Sequence, residues 1–531
     1  MSEPGVRSTQ SGAFAPFRHT AFTLLWGATL VSNIGTWMND VGAGWLMTTL
    51  NPSPAVVTLV QAATTLPVFC FALFAGALAD RLDKRRMLLA INLVLGSIVT
   101  LLAFLVWQGS MTPLLLLLFT LAIGTGAAFM APAWQAIVPQ LVSHSELKPA
   151  IALNSMGINI SRAIGPALAG VLIASFGLAA PFAMNALSFL VILGALFLWK
   201  PPQAAPKRNH GSILSDMATG LRHVRNNEAM LATAIRAAAF FLFASAYWSL
   251  LPLIARGAEN GGAELYGTLM ALIGFGAVSG ALLLPRIQRR WSADAIVIGG
   301  TATTALALIV MALFASPYAL MAAALLGGTS WIAVLTSFNV SAQTSLPDWV
   351  RARGLAVFLM VFFGSMSLGS VVWGQIASAV SISTALLIAA GGLAIGVAVT
   401  RNFHIGMGEA IDHSSASVWP EAPAKLAEHS DDQQAMVTVQ YRVSSDDRDA
   451  FVALVRTASK ERLRNGATRW FIHQSVEEPE LWLETFHLPS WAEHLEQHKR
   501  VSVSDVDQQA ELRALDRSEG GPVVKHFIAP R

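Results

Sequence analysis

A single cysteine, Cys70, stands among 531 residues. No intramolecular disulfide can form, and cysteine usage points to no oxidising compartment. Charge is the larger shortage. Asp, Glu, Lys and Arg supply 13% of the chain, against roughly 25% in ordinary globular proteins. Set beside 54% hydrophobic residues, that shortage excludes a soluble globule and predicts an integral membrane protein. The chain also lacks a phosphate-binding glycine loop, a nucleophile–base constellation and a cofactor fingerprint. Direct use of ATP, catalysis and a bound cofactor are therefore not expected. Residues 1–16 are polar, and the first apolar run is too long for a cleavable signal and lacks a small-residue cleavage site. The net charge of +3 resides in membrane loops, so no nucleic-acid partner is expected.

What is present is a succession of apolar runs. A helix needs roughly 20 apolar residues to cross the hydrocarbon core. Twelve runs meet that need: 21–46, 55–79, 87–107, 113–138, 150–176, 180–199, 229–254, 266–284, 295–315, 318–341, 355–379 and 384–400. Between the second and third, residues 76–86 place six charges in eleven residues: Asp80, Arg81, Asp83, Lys84, Arg85 and Arg86. A short loop so dense in Arg and Lys is held on the cytoplasmic side. Loops of the same parity carry Lys148, Lys200, Arg286, Arg289, Arg290, Arg351 and Arg353, whereas the other parity carries only Arg256. The expectation is twelve spans, both termini cytoplasmic, in the cytoplasmic (inner) membrane. After Phe403 the balance inverts, with 14 Lys and Arg against 21 Asp and Glu.

The chain repeats itself. Gln135, Pro139 and Val142 correspond to Gln343, Pro347 and Val350 at an offset of 208. Gly165, Gly170 and Gly76 correspond to Gly369, Gly374 and Gly280 at an offset of 204. Residues 280–290 are a worn copy of 76–86 without an acid equivalent to Asp80. Two six-span halves in parallel orientation follow.

These motifs resemble the major facilitator superfamily. Gly76, Leu78, Asp80, Arg81, Lys84 and Arg85 match its loop signature between spans two and three, with Asp83 where that pattern has Gly. Ser161, Gly165, Pro166 and Gly170 resemble the fifth-span signature of proton-driven exporters, with Ser161 and Ala169 replacing two glycines. No Arg lies between Thr112 and Gln140, so the arginine of many antiporters is missing. Trp37-Met38, Gly44-Trp45-Leu46, residues 130–142 and residues 220–225 resemble the branch called transmembrane secretion effectors, which includes enterobactin-exporter-like carriers. The resemblance covers nearly the whole chain. It implies a twelve-helix bundle in two six-helix repeats that exports a siderophore-like or drug-like small molecule by alternating access, driven by proton antiport. An importer or lipid flippase of the same fold is the runner-up. In that fold Asp80 is expected near residues 352–356 at the start of span eleven. A helix N-terminus there stabilises a carboxylate by about 0.3–2 kcal/mol, which would latch the halves. Gly165, Pro166 and Gly170 should let span five bend and pack closely.

Ionisable residues inside spans are costly and therefore informative. Asp40, with Asn33 and Asn39 near it in span one, is read as a proton-coupling carboxylate or a structural one. Arg162 and Arg236 are read as anion-binding residues or partners of Asp40, with a snorkelling role open for Arg236. Asn154, Asn185, Asn339 and Gln343 are polar candidates for the cavity or for helix-to-helix bonding. Ile213, Leu214, Met217, Leu221 and Val224 recur at helical spacing and predict an amphipathic helix along the cytoplasmic face.

The expected domains are a tail at 1–18, six-helix bundles at 19–199 and 228–403 with a central loop at 200–227, a polar linker at 404–434, and a cytoplasmic domain at 435–531. The last reads strand 436–443, helix 445–463, strands 468–475 and 481–488, helices 489–498 and 502–515, and strand 522–529. The order βαββαβ is ferredoxin-like and resembles small monooxygenase-like domains that pair through their sheets. Phe471, Leu481 and Leu483 leave a second apolar sheet face for a partner copy or a ligand, and a regulatory or dimerising tail is the expectation. His494 and His498 have metal-pair spacing, but a solvated helix face is the commoner cause and no metal is expected. A membrane-tethered sensor or enzyme acting through this domain is the reading from another class.

Overall fold

The structure, a computed structural model, describes residues 13–200, 213–347, 349–406, 433–500 and 503–530. The chain divides into two compact units, one comprising 1–210, 235–338 and 358–403, the other 211–234, 339–357 and 404–531.

The first unit is all helix. Its first half holds α1 (Thr20–Leu50), α2 (Pro54–Arg81), α3 (Lys84–Trp107), α4 (Pro113–Leu141), α5 (Leu147–Phe176) and α6 (Ala180–Leu198). After α7 (Ile213–Asn226), which belongs to the other unit, come α8 (Glu228–Gly257), α9 (Ala263–Gln288), α10 (Ala293–Leu313), α11 (Pro317–Thr344), α12 (Arg351–Ala379) and α13 (Ile382–Val399). Eleven of these, α2–α6 and α8–α13, are long and apolar enough to cross a membrane. The first of the twelve expected spans, α1, is a 31-residue helix outside that set. Ser32, Asn33, Thr36, Asn39 and Asp40 lower its hydropathy, and it packs along α5 and α6.

Local chemistry sets the helix ends. Thr112, Ser292 and Ser381 accept the backbone N–H three residues on, at 3.3, 3.3 and 3.0 Å, satisfying donors that open a helix. Pro54 and Pro113 occupy first turns, where a missing N–H costs nothing. Gly177 closes α5 at φ +87°. Leu93, Leu118, Leu190 and Phe197 point outward and exposed, as helices meant for lipid require. The first half's core joins Phe22 and Leu25 of α1 to Leu88, Ile137, Leu153 and Phe189. The second half packs aromatics instead: Phe241 meets Phe362 edge-on at 4.4 Å, beside Trp331 and Phe338.

The sequence repeat reappears as packing. Gly165 of α5 lies against Trp37 and Ile34 of α1, and its counterpart Gly369 of α12 lies against Ser245 and Leu242 of α8. Gly170 lies against α9, and its counterpart Gly374 lies against Pro54 and Thr58 of α2. Paired glycines thus meet paired helices. Gly76 and Gly280 do not: the first has open space around it, and the second touches Thr329 and Ile332 of α11.

The second unit contains α7, the first turns of α8, the end of α11, the connector into α12 and the C-terminal domain. That domain runs β1 (Ala435–Arg442), α14 (Arg448–Arg464), β2 (Arg469–Gln474), β3 (Leu481–Leu488), α15 (Trp491–Arg500), α16 (Val503–Leu515) and β4 (Val523–Ile528). Its four strands form one antiparallel sheet in the order β2-β3-β1-β4, with Val437 opposite both Phe486 and His526. Phe451, Val455 and Ala458 of α14 are buried with Val437, Val439, Trp482 and Phe486. Phe471, Leu483 and Phe527 remain exposed. Most of the expected linker, 407–432, lies outside the described residues.

Candidate transport site

The two halves of the first unit meet closely along α5 and α9. A Cβ at Gly267 would lie 2.7 Å from the Pro166 carbonyl oxygen and 2.9 Å from the Gly170 Cα, and one at Gly274 would lie 2.7 Å from the Arg162 carbonyl oxygen. Only glycine permits backbones so near. Further bridges gather where α1 turns into α2. Arg256 donates to the Thr48 carbonyl, and the Ala55 N–H donates to Ser378 Oγ at 2.8 Å.

Beside this seam stands the charged chemistry. Asp40 lies on α1 with the Asn39 amide next to its carboxyl and the buried Tyr266 phenol of α9 within electrostatic range. Tyr266 stacks on Trp45, centroids 6.2 Å apart. The Arg162 guanidinium sits 5.4 Å from the Trp37 ring centroid, and its buried Nε has no hydrogen-bond partner among the described residues. One carboxylate, one arginine, one phenol and two indoles therefore come from α1, α5 and α9, two helices of the first half and one of the second. Such a set can hold a charged or aromatic solute and exchange a proton.

The other residues singled out by sequence are placed elsewhere. Arg236, read as a partner of Asp40 or a snorkelling residue, is buried. It pairs with Asp294 of α10 and donates to the Phe403 carbonyl at 3.2 Å. Asn185 is buried and accepts from Ser188 Oγ at 3.2 Å, and Asn154 accepts from Trp134 Nε1 at 3.3 Å. Ser161 donates to Gly157 O at 2.9 Å and Leu30 O at 3.3 Å, tying α5 to α1. Asn339 is half-buried and Gln343 exposed, both in the second unit.

At the α2–α3 turn, Asp83 caps α3 by accepting the Arg86 N–H at 2.7 Å, which gives the departure from Gly a physical reason. Arg85 donates to Leu196 O and Phe197 O, both at 2.9 Å, neutralising the carbonyl end of α6. Leu78 packs on the first half's core, and Lys84 opens α3. The side chains of Asp80 and Arg81, and hence the expected latch, lie outside the described residues.

In the second unit, α7 is a helix as expected, but its buried side does not await a membrane surface. His223 Nδ1 bonds Arg464 O of α14 at 3.1 Å, and the His223 ring meets Trp349 edge-on at 5.4 Å. Arg500 lies 4.2 Å over the same Trp349 ring, and Lys460 pairs with Glu228. Apolar Leu221 is exposed, and the side chains of Ile213 and Leu214 are outside the described residues.

The domain's own core holds Glu484, which accepts from Tyr441 Oη and Trp470 Nε1 at 2.9 Å each and from Arg462 Nε at 3.3 Å. Burial and the Glu484 charge push the Tyr441 phenol well up. Glu484 and Glu461 hold the Arg462 guanidinium above its usual range despite its burial. His494 is not on a solvated face: it is buried against His498 and His526. Burial and those two neighbours push it down to about 3, and burial lowers the other two imidazoles as well.

Tyr266 and His526 are the residues that sequence reading missed. Tyr266 is one of four tyrosines at the start of a span and carries no charge to flag it. His526 is far from His494 in sequence and joins it only through the sheet.

Residues 11–531 match the family described as transmembrane secretion effector. The staphyloferrin A transporter of Staphylococcus aureus is 27% identical over 263 residues, 48% of this chain and 64% of that protein. Macrolide efflux protein A of Streptococcus pyogenes is 24% identical over 249 residues, 45% and 60%. The chain thus spans less than two thirds of these two relatives. The multidrug efflux pump Tap of Mycobacterium tuberculosis is 24% identical over 387 residues, 70% of this chain and 90% of that protein. Among solved structures, a POT family transporter in complex with 5-aminolevulinic acid superposes with TM-score 0.61 at 12% identity, covering 74% of this chain and 98% of that one. An inward-facing, unoccupied bacterial homologue of the human lysosomal transporter Spinster does so with TM-score 0.57 at 15% identity, covering 73% and 98%. With its repeated halves, glycine seam and this match over nearly its full length, the chain belongs to the transmembrane secretion effector family of major facilitator transporters.

Proposed function

We propose that the protein exports a small molecule, siderophore-like or drug-like, across the bacterial inner membrane by alternating access coupled to proton entry. In this reading α1 is the twelfth span, both termini are cytoplasmic, and the charged α2–α3 turn marks the cytoplasmic side. Homology to a siderophore transporter and to macrolide and multidrug efflux proteins supports the export of such solutes. The observation that carries the mechanism is the placement of Asp40 at the seam, on α1 of one half and close to Tyr266 of the other. Enclosing a charged carboxylate is expensive, so closure of the outer end favours an Asp40 that has taken a proton from outside. Loading of substrate from the cytoplasm then releases that proton inward, and the outer end reopens with the cargo. Arg162 and Trp37 serve anionic and aromatic parts of the solute. The strand order of the C-terminal domain supports a ferredoxin-like fold. Its contacts with α7 and the Trp349 connector support a regulatory role.

The direction of transport is tested with a panel of siderophores, macrolides and dyes in vesicles of both orientations. Accumulation of at least one compound in inside-out vesicles is expected. Accumulation confined to right-side-out vesicles would make the protein an importer.

A further inference from the structure

We propose that His494, His498 and His526 form a binding site for a divalent transition metal of the imidazole-preferring class, zinc above all. Three observations carry it. First, α15 places His494 and His498 one turn apart, and β4 brings His526 to the same point. Their ligand nitrogens all lie within 4.8 Å of one another. Second, the two Nε2 atoms of His494 and His498 are 3.2 Å apart. Zn–N bonds of about 2.0–2.1 Å in a tetrahedron set neighbouring nitrogens about 3.3–3.4 Å apart, so this pair already spans one edge. Third, His494 Nδ1 and His526 Nε2 are buried without a hydrogen-bond partner among the described residues. A buried polar atom without a partner costs free energy, and a metal ion that draws in the His526 ring uses that nitrogen.

The donor set also selects the ion. Neutral imidazoles without thiolate or carboxylate suit Zn(II), Cu(II), Ni(II) and Fe(II) and repel nothing by charge, whereas Mg(II) and Ca(II) need oxygen. Gln497, buried three residues after His494 with its Oε1 unpartnered, or a water supplies the fourth position. Trp491 meets His526 edge-on at 5.8 Å and walls the site. An ion here ties α15 to β4. The same helix ends in Arg500, which pairs with Glu493 and covers Trp349, so occupancy stiffens the platform under the α11–α12 connector.

The test uses the full-length protein in detergent, purified without a polyhistidine tag and stripped with chelator. Equilibrium dialysis against Zn(II) should give one tight ion per chain. His498→Asn with His526→Asn should weaken it by at least about tenfold, while the exposed His473→Asn leaves it unchanged. Co(II) on the unmutated protein should give the intense visible absorption of a tetrahedral site. An unaltered Zn(II) affinity in the double variant overturns the proposal. So does a wild-type Co(II) spectrum no different from the octahedral aquo ion, whatever the variants' folding.

Discussion

Glu484 sets the tail's stability at the scale of one residue. Strand alternation puts it on the face of Trp482 and Phe486, where a carboxylate stands out among apolar neighbours. It persists because Tyr441, Trp470 and Arg462 supply donors from three other elements. Removing one partner of a buried ion pair leaves the other uncompensated and costs about 3–5 kcal/mol. Glu484→Ala should therefore destabilise the C-terminal domain by roughly that amount, read as faster hydrogen exchange across β1 and β3 in the full chain. Exchange rates equal to the unmutated protein would show that the pair carries no such load. The partners of Glu484 are not legible in the sequence, because Arg462 and Trp470 reach it only after the sheet forms. The same limit hid His526 from His494 and Tyr266 from Asp40. Asp40 and Arg162 are legible as charges in apolar runs, which are expensive; the role of each is not. Arg236 is legible as a charge but its partner is not, since Asp294 begins the span after next.

At the scale of elements, the seam between α5 and α9 is a close backbone approach of the two halves, and the proposed alternating access makes it a closing surface. The glycine offset of 204 identified Gly165 and Gly170 as packing residues. It could not identify Gly267 and Gly274, whose role rests on a partner helix from the other half. Overpacking a tight contact costs about 1–3 kcal/mol, which shifts a two-state equilibrium about 5- to 150-fold. Gly267→Leu should hold the α1–α2 end open. In a Cys70→Ser background, maleimide should then label Thr48→Cys faster while flux falls by a similar factor. Unchanged labelling with unchanged flux would mean the seam is not the closing surface. The α7 helix was legible from its periodicity, yet its buried side meets α14 and Trp349. Amphipathicity states that a face needs cover and leaves open what covers it.

At the scale of the molecule, hydropathy foretold the helical bundle, because a long continuous apolar run satisfies its backbone in lipid only as a helix. The tail's strand and helix order was equally plain, since alternation and punctuation are local signals. The latch at Asp80 is untouched by these observations, while Arg85 of the same motif is spent on the end of α6. The account's central claim is that Asp40 couples proton entry to export, and one comparison tests it most directly. Inside-out vesicles carrying the unmutated protein or Asp40→Asn are incubated with an exported compound, with and without an imposed pH gradient. The account predicts gradient-stimulated uptake by the unmutated protein and its loss in Asp40→Asn at equal expression. Gradient-stimulated uptake that survives Asp40→Asn would contradict it.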